Sequence, residues 1–465
     1  MGFLSIFKQS DEERKNLVLH GGIGKTAVLL SMPVMFMLLA QSLTQVFDNW
    51  FVYNFSTLTN GAAVSYSNTA LNIAINGGIG LSVAGTAFIG RLIGAGDMEK
   101  VHKYTKQFIF LMVAAALIVS VFTMVIAPFY ASLALDEIRS GVQTIMLLTP
   151  LVVPFQYFNT AYYAIKNANG KSEIQFIFTL LMMILKVIGN ALFIAVMQLG
   201  VMGIVLSNFF AQATISLIVS RDIFSKNKMN VSFKGFKPDG GILRDFLKVG
   251  IPSVVTNVTM QVGFLLINLE SMKFGSEILN TNSIANSITN VAYSSLNAFG
   301  TAITSMVSMN VGAQNYKRAK DMVIYVFKLV AILSIIVTIV MTIIAPVMST
   351  LFVEEDQLEL LDKVTVTQRI TIFGILGFAC ASIVCGVFVA VGKTKIPIII
   401  NGLRIVGFRY PIILIANMFF EPNYLIIPVS TLISNNLVLL VSYILYRKID
   451  WNDPLGTGEK KKIKG

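Results

Sequence analysis

Apolar stretches of about 20 residues or more recur along the whole chain and are separated by short polar segments. A helix needs about 20 apolar residues to cross a bilayer core. The pattern therefore predicts an all-α, polytopic membrane protein with twelve transmembrane helices. They are predicted at 27–52, 61–90, 107–130, 141–165, 173–196, 201–220, 247–271, 281–311, 322–347, 364–391, 396–419 and 425–446.

The second and eighth predicted helices begin two related stretches of sequence. Asn68 aligns with Asn286, and Gly94 aligns with Gly312 at the same interval along the chain. A duplicated and very apolar chain is typical of a membrane transporter. Six helices per half is an even number, so the halves are expected to be related by an axis along the membrane normal, with a cavity between them.

Polar segments divide the chain into five predicted regions. They are a cytoplasmic N-terminal segment at 1–26, a six-helix lobe at 27–220, a basic cytoplasmic linker at 221–246, a second six-helix lobe at 247–446 and a basic cytoplasmic tail at 447–465.

Composition and charge support this topology. Of the 465 residues, 13% are charged, against about 25% in soluble domains. The net charge of +12 comes from basic residues that sort to one side, since the predicted outer loops keep only Arg139, Lys273 and Lys363. This bias predicts a multi-pass cell-membrane protein with both termini in the cytoplasm, and it favours the lipid bilayer over nucleic acid as the partner of the basic residues. A monomer is the favoured oligomeric state.

One face of the first predicted helix is polar. Gln41, Gln45 and Asp48 lie at i, i+4 and i+7, and Asp48 is the only acidic residue well inside the apolar segments of the first half. Because burial disfavours a charged carboxylate, Asp48 could bind and release a proton. The alternative is a carboxylate permanently paired with a cation.

Asparagines form stripes with a four-residue repeat. The stripes contain Asn68, Asn72 and Asn76 in the second helix, and Asn282, Asn286 and Asn290 in the eighth. Asparagine both donates and accepts, so it can line a polar substrate cavity, but it also holds membrane helices together. The sequence leaves both interpretations open.

Two further helices carry polar candidates for the substrate cavity. Gln261 and Asn268 in the seventh helix repeat the spacing of Gln41 and Asp48 in the first helix without its acid. Lys186 lies in the middle of the fifth helix, four residues before Asn190. It could reach the membrane interface, pair with Asp48 or contact an anionic substrate group, and its central position favours pairing.

Catalytic and nucleotide-binding patterns are missing from the sequence. Cys380 and Cys385 are five apart in one apolar segment, and His20 and His102 are the only histidines. No glycine-rich loop precedes Lys-Ser or Lys-Thr. We therefore expect a transporter that is not an enzyme, uses no ATP and binds no metal or cofactor.

The first helix carries Pro33, Gln41 and Asp48, and the second and eighth helices are followed by Gly94–Asp97 and Gly312–Asn315. These features resemble the multidrug and toxic compound extrusion (MATE) family over essentially the full length. The resemblance implies an antiporter that exports small, mostly cationic and amphipathic compounds in exchange for H⁺ or Na⁺ by rocking of two lobes. It also implies an ion-coupling role for Asp48, for Asn190, and for Ser207 or Asn208.

The sequence is nearer the DinF-like branch of that family, but it departs from the pattern. Ile194 stands where that branch has a second aspartate, and Gln261 stands where the NorM-like branch has an acid. Since Na⁺ needs several oxygen ligands with enough negative charge, and Lys186 adds positive charge, H⁺ is favoured as the coupling ion.

Two other transporter classes share features with this sequence. A flippase for a lipid-linked saccharide would use Lys186, Arg404 and Arg409 to contact phosphates. A major facilitator transporter would carry a characteristic basic loop after the second helix, and Arg91–Asp97 does not match it.

Overall fold

The computed structural model describes most of the chain. The described residues are 11–55, 58–134, 136–225, 229, 231–272, 276–350, 358–421 and 423–455.

The described residues before the predicted linker form helices joined by short turns. These are α1 (Asp11–His20), α2 (Ile23–Phe55), α3 (Leu58–Ala95), α4 (Met98–Ser132), α5 (Asp136–Leu148), α6 (Val153–Ala168), α7 (Ser172–Asn190) and α8 (Gly200–Phe224). A 3-10 turn at Thr149–Leu151 joins α5 to α6, and a π-helical segment at Ala191–Val196 extends α7.

The rest of the described chain repeats this series. Its helices are α9 (Gly240–Met272), α10 (Ser276–Gly312), α11 (Tyr316–Thr350), α12 (Leu358–Ile372), α13 (Ile375–Ala390), α14 (Lys395–Gly402), α15 (Tyr410–Phe419) and α16 (Ile426–Arg447). A π-helical segment at Leu403–Arg409 joins α14 to α15.

The helices confirm an all-α, polytopic membrane protein. Within the described residues, eight helical spans are long and apolar enough to cross a membrane, or ten if each bent pair is one span. The bent pairs are α5 with α6, at 47°, and α12 with α13, at 44°. Helices α9 and α10, with 33 and 37 residues, lie where the seventh and eighth spans are predicted. These two helices are not among the ten spans, so the predicted total of twelve stays a prediction.

The chain divides into two compact units. The first unit contains the described residues of Met1–Lys15 and Phe36–Asn257, and the second contains Asn16–Met35 and those of Val258–Gly465. The division therefore falls inside α1 after Lys15, inside α2 close to Pro33, and inside α9 close to Pro252. The predicted lobe boundaries outside the helices stay a prediction.

The register of the sequence repeat is visible in the packing of each unit. In the first unit α3 packs on α6, and Thr86 donates its hydroxyl to the Ala164 carbonyl at 3.3 Å. In the second unit α10 packs on α13, and Thr304 donates to the Gly386 carbonyl, also at 3.3 Å. Thr86 and Thr304 are equivalent in the register that aligns Asn68 with Asn286, so equivalent hydroxyls join equivalent pairs of helices, although the acceptors Ala164 and Gly386 lie four residues further apart in sequence than the donors.

A buried ion pair in the first unit holds the beginning of α7. Arg14 Nη2 donates to Glu173 Oε1 at 2.5 Å, and the two side chains are 0% and 4% exposed. A buried pair of this kind costs about 3–5 kcal/mol to break, because one charge is left without its partner. Arg14 therefore fixes the first turn of α7.

Part of the predicted linker contacts α4. Gln107 donates to the Lys237 carbonyl at 2.7 Å and accepts from the Asp239 amide at 3.1 Å. Lys103 forms an ion pair with Asp239 at 2.8 Å. This lysine, together with two backbone amides, holds the pKa of Asp239 below its usual range.

Candidate ion-coupling site

Both carboxylate oxygens of Asp48 are held by side chains of α7. Asn190 Nδ2 donates to Asp48 Oδ1 at 2.8 Å, and the Lys186 ammonium donates to Asp48 Oδ2. Lys186 and Asn190 are four residues apart on one face of the helix, so a single face of α7 provides both donors. The pairing of Lys186 with Asp48 that the sequence favours is present in the structure.

Helix α8 packs against α7 at Lys186 and Gly189. Ser207 is fully buried and donates its hydroxyl to the Lys186 carbonyl at 3.0 Å. A Cβ atom on Gly189 would lie 2.6 Å from Ser207 Oγ and 3.1 Å from Ser207 Cα. The glycine thus allows α7 and α8 to approach closely where the polar side chains lie. Ser207 therefore contacts the backbone of Lys186 and not the carboxylate of Asp48.

The ion pair is largely shielded. The side chain of Lys186 is 16% exposed and that of Asp48 is 24% exposed. Hydrogen bonds and ion pairs become stronger as water is removed, and so does the cost of leaving one charge alone. Removal of either charge would therefore leave the other largely shielded from water and without its ionic partner.

The arrangement around Asp48 differs from that of a sodium site. A hard cation is bound by several oxygen atoms, whereas here both Asp48 oxygens accept from N–H donors and one of those donors is itself a cation. Ile194, where the resemblance implies a second aspartate, is fully buried. Among the described residues there is no group of three or more His, Cys, Asp or Glu side chains that could hold a metal ion.

The other predicted cavity residues are spread over four helices. Gln41 is exposed on α2, Asn68 and Asn72 are exposed on α3, and Asn286 and Asn290 are exposed on α10. Gln261 on α9 and Asn76 on α3 are half-buried, and the side chains of Gln45 and Asn268 lie outside the described part of the structure. Asn76 donates to the Asn72 carbonyl of its own helix at 2.7 Å. The structure thus brings Asp48, Lys186, Asn190 and Ser207 together. The remaining described side chains lie on α2, α3, α9 and α10, with the exposures given above.

Comparison with known families identifies the chain. The MatE family model matches it twice, over residues 33–192 and 252–415, one match in each repeat. The chain belongs to the MatE family. This is a family of membrane-embedded efflux transporters, and its members are not enzymes.

Individual relatives of this MATE transporter are distant in sequence and close in fold. The multidrug export protein MepA of Staphylococcus haemolyticus is 22% identical over 330 residues, covering 69% of this chain and 72% of MepA. A crystal structure of a MATE protein in complex with MaD3S is 19% identical with a TM-score of 0.87, covering 93% of this chain and 97% of that chain. A MOP superfamily transporter from Pyrococcus furiosus, described with a binding pocket of reverse polarity, is 20% identical with a TM-score of 0.85 and covers 93% and 96%. At these identities the structural likeness establishes the fold alone.

The MATE fold of the second unit contains a basic cluster that the sequence only partly revealed. Arg404 and Arg409 are 5% and 9% exposed, and their partners come from α9, α13 and α16. These arginines therefore contact neighbouring helices of their own unit. Two correspondences in the sequence could have indicated the cluster. Gly170-Lys171-Ser172 recurs as Gly392-Lys393-Thr394, which aligns Lys186 with Phe408, next to Arg409, and the dipeptide Ser207-Asn208 recurs as Ser434-Asn435.

Proposed function

We propose that this MATE transporter exports organic, cationic and amphipathic compounds in exchange for H⁺, with Asp48 as the coupling carboxylate. The observation that carries the proposal is the contact of Asp48 with Lys186 and Asn190 inside the first unit. A carboxylate in this position can hold either a cation or a proton, but not both with comparable affinity. The names of the relatives, which include a multidrug export protein, support the substrate class.

The exchange follows from competition for a single negative charge. When Asp48 is deprotonated, it pairs with Lys186 or with the positive group of a substrate. When Asp48 takes up a proton, its attraction for any cation falls and the substrate is released. Asn190 serves both states, since its amide can donate to a charged or a neutral carboxyl group. Each state then favours a different access conformation, to the extent that its contacts differ between the two conformations.

The charge balance around Asp48 supports H⁺ over Na⁺. Sodium would have to displace the Lys186 ammonium and would need further oxygen ligands. The buried side chain of Ile194 occupies the position where the DinF-like branch has a second carboxylate. A proton needs only one lone pair of Asp48. The bond between Asn190 and Asp48 also supports the placement nearer the DinF-like branch. We place both termini in the cytoplasm and the protein in the cell membrane as a monomer.

Dye efflux from proteoliposomes tests this function. Ethidium efflux is measured under an imposed pH gradient and, separately, under a Na⁺ gradient of matched size. We expect efflux with the pH gradient, no efflux with the Na⁺ gradient alone, and loss of efflux in Asp48→Asn. Asp321→Asn, the same substitution at an exposed position of α11, is the matched control and keeps wild-type efflux.

Two outcomes would contradict the proposal. Efflux driven only by Na⁺ would mean that Na⁺ is the coupling ion although a second carboxylate is missing. No movement of any organic cation under either gradient would favour the alternative of a flippase for an anionic, lipid-linked substrate.

A further inference from the structure

Two buried arginines of the second unit have only neutral partners. Arg409 donates through Nε to Ser434 Oγ at 3.3 Å and through Nη2 to Asn435 Oδ1 at 3.2 Å. Arg404 donates through Nη2 to Met260 Sδ at 3.4 Å. Within the described part of the chain, neither guanidinium forms an ion pair with a carboxylate.

The Arg404 side chain is the less satisfied of the two. It is 5% exposed, and its Nε has no hydrogen-bond partner. Its guanidinium lies 4.7 Å from the centre of the Phe378 ring. A thioether and an aromatic face stabilise a cation weakly in comparison with a carboxylate or a phosphate. Burying a charge with so little compensation is unfavourable.

Shared neighbours bring the two arginines to the same place. The ring of Phe378, which lies beside Arg404, packs edge-on against Tyr293 with 5.0 Å between the ring centres. The Tyr293 hydroxyl accepts from Asn435 Nδ2 at 3.2 Å, and Asn435 in turn accepts from Arg409. Both guanidiniums therefore flank one cluster of aromatic and amide groups.

The helix geometry contributes to this arrangement. Arg404 and Arg409 both lie in the π-helical segment Leu403–Arg409. In an α-helix, side chains five residues apart would point about 140° away from each other. The wider π-helical turn, with its i to i+5 hydrogen bonds, brings such positions closer to one face, and segments of this kind occur frequently at functional sites.

The internal repeat shows what is missing from the cluster. Gly170-Lys171-Ser172 before α7 recurs as Gly392-Lys393-Thr394 before α14, and in that register Lys186, which pairs with Asp48 in the first unit, aligns with Phe408, next to Arg409. The residue of the seventh helix that corresponds to Asp48 in the polar spacing is Asn268, which carries no charge. The second repeat thus has a cation next to this position and no acid at the position that corresponds to Asp48.

We infer that Arg404 and Arg409 form an anion-binding site in the second unit, one that takes a single oxyanion group such as a carboxylate or a phosphate. The planar guanidinium fork matches the geometry of an oxyanion, and two such forks supply more donors than the neutral partners accept. The bound group would act independently of the coupling ion at Asp48. It could belong to a free anion or to the headgroup of a lipid.

The test uses the full-length protein, purified in detergent and depleted of lipid. Thermal unfolding is followed while inorganic phosphate is titrated at constant ionic strength, with sodium chloride as the balancing salt. A parallel series adds mixed micelles that contain phosphatidylglycerol, with phosphatidylcholine micelles as their control. We expect a saturable rise in the unfolding midpoint, with phosphate if a free oxyanion binds and with phosphatidylglycerol if a lipid headgroup binds.

Variants assign the response to the two arginines. In Arg404→Gln and Arg409→Gln the half-saturating concentration is expected to rise about tenfold to a hundredfold, because hydrogen bonds to a charged group are lost. Arg409→Lys keeps the charge and is expected to keep part of the response. Arg447→Gln removes a cation from an exposed position of α16 and should leave the response unchanged.

Variants in which methionine replaces each arginine separate anion binding from a structural role, when their stability is measured without added anion. If the arginines serve an anion, Arg404→Met and Arg409→Met keep or raise the midpoint of the anion-free protein, since an uncompensated charge is removed. A large decrease in the unfolding midpoint of both variants, equal with and without phosphate, would overturn the assignment. A wild-type protein that responds to neither phosphate nor phosphatidylglycerol would also overturn it.

Discussion

Removal of the Lys186 charge should destabilise the first unit by an amount that depends on the charge of Asp48. In Lys186→Met the Asp48 carboxylate keeps Asn190 as a partner and loses its cation. A fully buried charge left in this way costs about 3–5 kcal/mol. Because the two side chains are 16% and 24% exposed, we discount this to about 2 kcal/mol for screening by solvent.

A double-mutant cycle measures this quantity. Thermal or denaturant unfolding in detergent is compared for the wild-type protein, Lys186→Met, Asp48→Asn and the double variant. Asp48→Asn alone should also destabilise, since it leaves the ammonium without an anion, while the double variant should recover much of the loss. The expected coupling is about 1–3 kcal/mol, which is within the range that contacting residues show.

The outcome of the cycle decides whether the two charges act as one unit. Additive effects of the two substitutions, with a coupling below about 0.5 kcal/mol, would refute the view that the pair acts as one unit.

Three further predictions concern the elements that position the site. Gly189→Ala should destabilise by about 1–3 kcal/mol and reduce efflux, because its new Cβ would meet Ser207 at 2.6 Å, whereas Gly402→Ala, which meets nothing within 4 Å, is the matched control for thermal unfolding. Arg14→Leu should lower stability by about 3–5 kcal/mol at neutral pH, since it leaves a buried carboxylate unpaired, and an unchanged unfolding midpoint would contradict that role. Asp97→Ala removes the side chain that caps α4, and a lysine three residues on lowers the pKa of Asp97. Its contribution is therefore present at neutral pH and lost as acidification protonates the group, so the difference in midpoint between variant and wild-type protein should shrink on moving from pH 7 towards pH 3.

The membrane architecture could be predicted because it depends on features that are local in sequence. The apolar stretches determine where helices form, and the register of the internal repeat determines which positions are equivalent, as the matching contacts of Thr86 and Thr304 show. The pair of Asp48 and Lys186 could also be predicted, since each is an isolated charge inside a predicted transmembrane helix of the same half. An isolated buried charge needs a partner, and few candidates exist.

Other features depend on contacts between distant segments, which no local pattern encodes. The division of the chain inside α1, α2 and α9 follows from packing along each helix, and its only compositional markers are the prolines near the divisions in α2 and α9. Asn76 fits the polar stripe in sequence, yet its amide bonds to the backbone of its own helix. The neutral partners of Arg409 on α16 could be inferred only by aligning the Ser-Asn dipeptides of the two repeats.

Proton release on substrate binding tests the central claim most directly. Ethidium is added to the detergent-purified protein in a weakly buffered solution at a pH where part of the Asp48 population is protonated, and the released protons are counted with a pH-sensitive dye. If substrate and proton compete for Asp48, the wild-type protein releases up to one proton for each ethidium bound, and Asp48→Asn releases none. Ethidium binding without proton release in the wild-type protein, or equal release from Asp48→Asn, would contradict the assignment of Asp48 as the coupling residue.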